Sequence, residues 1–173
     1  MKKVYDTINQ YCVEHELLTN GDGIVIGLSG GMDSVCLLQV LAALRNEWQL
    51  RLVCVHVHHG IRGTAADEDA AFAQRLAAKY NISFRLYEMD IPQLAKEQGL
   101  SEEEAGRNYR YRCFEEVRKE LNFDKIAVAH HRDDQAETVL WQILRGSGLR
   151  GVCGMRAGRA NIIRPLLCLD RQQ

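Results

Sequence analysis

An α/β domain with a doubly wound, mostly parallel five-stranded sheet and helices on both faces is what this sequence predicts. Two observations carry that expectation. Short apolar runs alternate with longer amphipathic stretches in the order βαβαβαβ, the pattern of a parallel sheet with helical crossovers. No internal repeat and no Pro-rich linker breaks the alternation, and the chain has only two prolines. A length of 173 residues suits one domain, burying about 70% of the surface its unfolded chain exposes.

Each element has a local reason. Residues 3–18 carry Val4, Ile8, Cys12 and Leu18 among their apolar positions, so an amphipathic helix comes first. Residues 23–29 form the first strand and 33–46 its helix. Leu52-Val53-Cys54-Val55-His56-Val57 is nearly continuous and β-branched, as a central strand covered on both faces should be. Thr64 then caps a helix whose first turn holds Asp67, Glu68 and Asp69, with Ala70, Ala73, Leu76, Ala77 and Tyr80 as its buried stripe. Residues 82–87 alternate cleanly and form the third strand. Ser101 and Glu104 make a capping box for a helix reaching Leu121. Lys125–Ala129 is the fourth strand, followed by a helix from Asp133 to Leu144, a Gly-rich loop at 146–154 and a fifth strand at 161–164.

Composition excludes several classes. No apolar run approaches the roughly 20 residues of a membrane span, and Met1-Lys2-Lys3-Val4 lacks a signal core. Six widely spaced cysteines include no CxxC pair and no zinc-like spacing, which predicts reduced, buried thiols in a cytoplasmic protein. A net charge of −1 argues against a uniformly basic nucleic-acid coat. Residues 145–173 nevertheless hold six arginines against one acid, Asp170, a patch that attracts phosphate or is simply a solvated basic surface.

The first strand leads into Leu28-Ser29-Gly30-Gly31-Met32-Asp33-Ser34. Two glycines let the backbone approach a ligand, and exposed N–H groups at the next helix start make an anion site. The loop lacks the lysine of a Walker A motif and holds Asp33 instead, which makes sense if a divalent metal stands between carboxylate and phosphate. A plain βα turn would use the same glycines and caps. Ligands in such folds bind at the carboxyl ends of strands. That rule gathers the 29–34 loop, the 58–62 turn and the 130–134 turn on one rim.

His58-His59-Gly60-Ile61-Arg62 either flanks an adenosine or is a polar turn. In His130-His131-Arg132-Asp133-Asp134, anionic Asp133 or Asp134 at a helix start can join Asp33 on Mg²⁺, and the histidines can donate to phosphate or move a proton. Helix capping alone would use the same aspartates. Arg107 and Arg110 share one helix face; on the residues alone, surface pairing with Glu103 and Glu104 is favoured over a phosphate clamp.

SGGMDS resembles the SGGxDS signature of the PP-loop ATP pyrophosphatase family, which splits ATP between its α- and β-phosphates. LSGGMDS, HVHHGIR, EEAGRNYRYRCF, AHHRDDQAET, LRGSGLRGVCGM and IIRPLL together resemble the tRNA isoleucine lysidine synthetases within it. Gly106 and His58 depart from that pattern, where alanine and asparagine are more common; Gly106 loosens its helix by up to ~1 kcal/mol. The resemblance implies a Rossmann-like fold of the adenine nucleotide alpha hydrolase type. It implies that ATP adenylates the wobble cytidine of a minor isoleucine tRNA, releasing pyrophosphate, and that free lysine then expels AMP. It places pyrophosphate on Ser29, Gly30, Gly31, Met32, Asp33 and Ser34, and the adenosine side beside His59, Gly60 and Arg62. Asp33 and Asp134 would hold Mg²⁺, while Arg110 and His130 would act on transition-state charge or on the proton. Family members continue past the RPLL strand into tRNA-binding domains, so a chain ending at Gln173 is expected to be a truncated catalytic domain. A tRNA thiolase, an NAD or GMP synthetase, and a catalytically silent ATP-binding module are the alternatives.

Overall fold

The structure, a computed structural model, describes residues 2–58, 60, 63–144 and 154–170. In chain order the elements are α1 (Lys2–Glu14), β1 (Gly23–Gly27), α2 (Met32–Leu44), β2 (Arg51–His58), α3 (Gly63–Lys79), β3 (Ser83–Glu88), α4 (Ile91–Gln98), α5 (Glu102–Glu120), β4 (Lys125–Ala127), α6 (Arg132–Leu144), β5 (Gly158–Arg159) and β6 (Ile162–Ile163). A 3₁₀ turn, Pro165–Cys168, follows β6.

The sheet order is β3-β2-β1-β4-β6-β5, and every pairing is parallel except β5 with β6. Six strands replace the five expected, because the chain turns back at Gly158–Arg159 to add a two-residue antiparallel edge. A segment that short has no periodicity to read.

Alternation along the inner strands divides the core. Ile24, Ile26 and Cys54 face one side, where Ile8 and Cys12 of α1, Leu37, Leu38 and Leu41 of α2 and Ala73, Leu76 and Ala77 of α3 complete a buried cluster. Val25, Val53, Val55 and Val57 face the other, against Ile91 and Ala95 of α4 and Tyr109, Cys113, Phe114 and Val117 of α5. The near-continuous apolar run of β2 is thus explained, since both its faces are covered. At the end of β1, a Cβ on Gly27 would lie 2.7 Å from the Phe114 ring, so only glycine lets α5 lie this close to the sheet.

Several boundaries differ from expectation. α1 stops at Glu14, ahead of Glu16 at φ 52°. α3 starts at Gly63, so Thr64 is inside the helix rather than its cap, and Asp67, Glu68 and Asp69 lie beyond the first turn. Ser101 does cap α5, accepting from Glu104 N at 3.2 Å. α4 was not expected, although Asp90 accepting from Gln93 N at 3.0 Å and Pro92 in the first turn are ordinary start signals. The Gly-rich loop, apart from Gly154, lies outside the described residues, as do His59 and Arg62.

Candidate active site

β1 has β2 on one side and β4 on the other, so chain direction across the sheet reverses between β1 and β4. Such a switch point leaves a crevice at the carboxyl ends of the strands. A cavity of about 630 Å³ lies there, a size suited to a nucleotide-sized ligand. Its walls include Ser29, Gly31, Asp33 and Ser34 after β1, His56 and His58 of β2, Asp69 of α3, Arg107, Arg110 and Tyr111 of α5, and His130 after β4.

The loop after β1 is internally braced. Gly30 adopts φ +90°, which an L side chain would resist. Ser34 is buried, and its hydroxyl donates to Gly31 O at 2.8 Å while accepting from Ser29 N at 3.2 Å. Ser34 therefore shapes the loop, and its proton is engaged within it. Met32 projects into solvent and is 74% exposed. Gly31 caps α2 with no side-chain bond, so the first-turn N–H groups of α2 are presented at the cavity edge.

The two adjacent histidines part company. His131 is buried, and its Nδ1 accepts from Asp133 N at 3.2 Å, which leaves the proton on Nε2. That Nε2 stands 3.6 Å from Asp134 Oδ2 and 3.8 Å from Asp33 Oδ2. Asp134 also accepts from His131 N at 2.8 Å, capping α6. Asp33 and Asp134 thus converge from two helix starts, with side chains 41% and 35% exposed. Among the described residues, no group of three or more His, Cys, Asp or Glu is arranged to hold a metal alone. Two partly exposed carboxylates without further protein ligands suit Mg²⁺, which completes its shell with phosphate oxygens and water.

His130 lines the cavity and takes a different partner. Its Nδ1 accepts from Arg164 Nε at 3.1 Å. Burial, reinforced by the Arg164 charge, pushes its pKa down to about 4. Asp134 opposes that shift, whereas Arg107 and Arg110 add to it. Arg110 keeps solvent contact at the cavity, yet surrounding protein lowers its pKa by desolvation. Arg107 and Arg110 thus make a cationic wall, while Asp33, Asp69 and Glu102 also line the cavity. Arg107, which sequence reasoning assigned to surface pairing, stands on that wall with its guanidinium 5.3 Å from the Tyr111 ring centre.

On β2, His56 Nδ1 lies 2.7 Å from Leu28 O, and burial lowers its pKa. His58 Nδ1 accepts from Gly60 N at 3.2 Å. Its Nε2 is 3.3 Å from Asp67, close enough for attraction but outside hydrogen-bond geometry. Of the adenosine-side candidates only Gly60 is described, and it acts here through that N–H. Tyr111, His56, Asp69 and Arg164 were missed as site residues, since nothing in their local spacing marks them.

The sequence profile of a PP-loop domain family matches residues 2–173. A tRNA(Ile)-lysidine synthase from Caldanaerobacter subterraneus is 48% identical over 173 residues, all of this chain and 36% of the relative. One from Clostridium tetani is 42% identical, covering 98% of this chain and 36% of the relative. The chain therefore spans about a third of the length of the curated relatives it matches. Among solved structures, a U34-tRNA thiolase from Methanococcus maripaludis superposes with TM-score 0.78 at 21% identity, covering 99% of this chain and 59% of that one. An NH3-dependent NAD synthetase from Campylobacter jejuni gives 0.62 at 18% identity, covering 98% and 68%. At those identities the two structures speak to the fold alone.

Proposed function

The chain belongs to the PP-loop domain family, and we propose that it is the ATP-using part of a tRNA(Ile)-lysidine synthase. The observation that supports this most directly is the cavity itself, which joins a phosphate-shaped loop to a wall of Arg107, Arg110 and His130. In the reaction we infer, the C2 carbonyl oxygen of the wobble cytidine in an isoleucine tRNA attacks the α-phosphorus of ATP. The bond to the β-phosphate breaks and pyrophosphate leaves. The amine of free lysine then bonds to C2 and loses a proton, the C2–O bond breaks and AMP departs.

The residues divide this work by position. The N–H groups of the 29–34 loop and the start of α2 bind the pyrophosphate portion. Asp33 and Asp134 hold Mg²⁺, which when bound offsets phosphate charge. Arg110, with Arg107 beside it, stabilises charge that grows on the α-phosphate. His130, with Nδ1 already occupied, serves as a donor from Nε2. The adenosine side is assigned to the segment with His59, Gly60 and Arg62, and the setting to the cytoplasm; no helix among the described residues is long and apolar enough to cross a membrane.

A tRNA thiolase is the second reading, since a U34-tRNA thiolase shares the fold. Among the described residues, the thiols speak against it; Cys153 lies outside them. Burial pushes Cys12 and Cys54 up to about 12 and raises Cys36, Cys113 and Cys168 as well. Raised thiols are poor nucleophiles.

The test is ATP–pyrophosphate exchange and labelled-lysine incorporation with isoleucine tRNA carrying a cytidine wobble base. Exchange and incorporation that both depend on this tRNA are expected. ATP binding without tRNA-dependent turnover would instead identify a silent nucleotide-binding module.

A further inference from the structure

We infer that Arg164 is a positioning residue that locks His130 in its neutral, Nε2-protonated form, so that the imidazole meets the ligand's phosphate as a donor and not as a base. This rests on the reading of the cavity as an ATP site.

The geometry comes from the sheet. β6 runs parallel to β4, pairing Ile163 with Ala127, and Val128 N donates to Ile163 O at 3.1 Å. The chains leaving these two strands therefore emerge side by side, carrying Arg164 and His130. Arg164 is only 8% exposed, and its own backbone N donates to Ala157 O at 2.8 Å. Its Nη1 donates to Arg156 O at 2.9 Å, and its Nε donates to His130 Nδ1 at 3.1 Å. The guanidinium is held on two sides and has little freedom to turn.

A guanidinium has N–H donors and no acceptor. The 3.1 Å contact can form only if His130 Nδ1 offers its lone pair. A neutral imidazole then carries its single proton on Nε2. Protonation of Nδ1 would set N–H against N–H beside a buried cation. The groups around the ring point the same way. Arg164 follows β6, and Arg107 and Arg110 come from α5; all three disfavour imidazolium, against one favourable carboxylate, Asp134 of α6. A base in the second step must therefore be some group other than His130.

The tautomer can be read directly in the 173-residue chain by long-range ¹H–¹⁵N NMR of the ring nitrogens. The expected result is an Nε2-protonated His130 near neutral pH, titrating close to pH 4 instead of 6.5. A wild-type ring protonated on Nδ1, or one titrating near 6.5, overturns the proposal without need of any variant. Arg164→Met should raise the His130 pKa toward 6.5 and mix the tautomers, while Arg164→Lys, which keeps a charged donor, should restore most of the wild-type signal. Added ATP should shift the His130 Nε2–H resonance. If ATP perturbs the 29–34 amides but leaves that resonance unmoved, the donor role is wrong. If ATP perturbs neither, the ATP-site reading itself falls, whereas the tautomer result stands on its own.

Discussion

Nε2 of His131 stands 3.8 Å from Oδ2 of Asp33, a contact that ties the start of α6 to the start of α2. With Asp134 at 3.6 Å from the same nitrogen, two carboxylates from distant segments flank one imidazole. If they bind the metal of an ATP complex, their charge matters more than their shape.

Asp33→Asn tests that charge. The side chain is 41% exposed, so its loss should leave the fold intact. ATP–pyrophosphate exchange should fall on the order of 100-fold, the usual scale for removing one electrostatic element of a transition-state site. An unchanged melting curve with near-normal exchange would remove the proposed metal role.

Gly30→Ala tests the loop. A Cβ there has room, its nearest neighbours being 3.6 Å away, but φ is +90°. Holding alanine there costs roughly 1–3 kcal/mol. Calorimetric ATP titration should show affinity weakened about tenfold, since 1.4 kcal/mol corresponds to that factor. Unaltered affinity would mean the loop backbone does not hold the phosphates.

Asp22→Ala tests the opposite end of the sheet. Asp22 is buried, 2.7 Å from Lys125 Nζ, and accepts from Thr19 N at 2.7 Å. Removing it leaves a largely buried ammonium with Leu17 O and Thr19 Oγ1 as acceptors but without its counter-charge, with an expected loss of about 3 kcal/mol in urea unfolding. Asp22→Ala together with Lys125→Met should recover part of that loss.

Stability should fall in two acid windows. His130 has a folded pKa of about 4 against 6.5 unfolded, so its contribution is complete above 6.5 and is lost as pH falls to 4. Glu115, bonded to Arg118 at 2.7 and 2.8 Å, is held down to about 2 against 4.5. Its contribution is present above 4.5 and is lost as pH falls toward 2. Glu115 is 32% exposed, so after discounting for solvent screening we expect about 1–2 kcal/mol from it. Urea midpoints measured from pH 7 to 3 should flatten in the upper window for His130→Gln and in the lower for Glu115→Gln.

Much of this was legible in the residue order. Apolar runs marked β1, β2, β3 and β4, and Ser101 three residues before Glu104 marked α5. Asp90 and Pro92 are an ordinary start signal for α4, although the segment between β3 and α5 is too short for its periodicity to stand out. β5 left no trace, because two residues have no period. The loop with Ser29, Gly31, Asp33 and Ser34 was recognisable, and the rim it shares with His130 follows from the rule that ligands sit at strand ends.

By itself, then, the sequence determined the alternation of elements and the phosphate-shaped loop, since both are written in local spacing. Tertiary structure decided which neighbour of a His-His pair faces the cavity. It also moved Arg107 from an expected surface network to the cavity wall beside Arg110, and it brought Arg164 to His130. The physical reason is that strand order places β4 between β1 and β6. Contacts between residues 34 positions apart depend on that order, and no local periodicity encodes it.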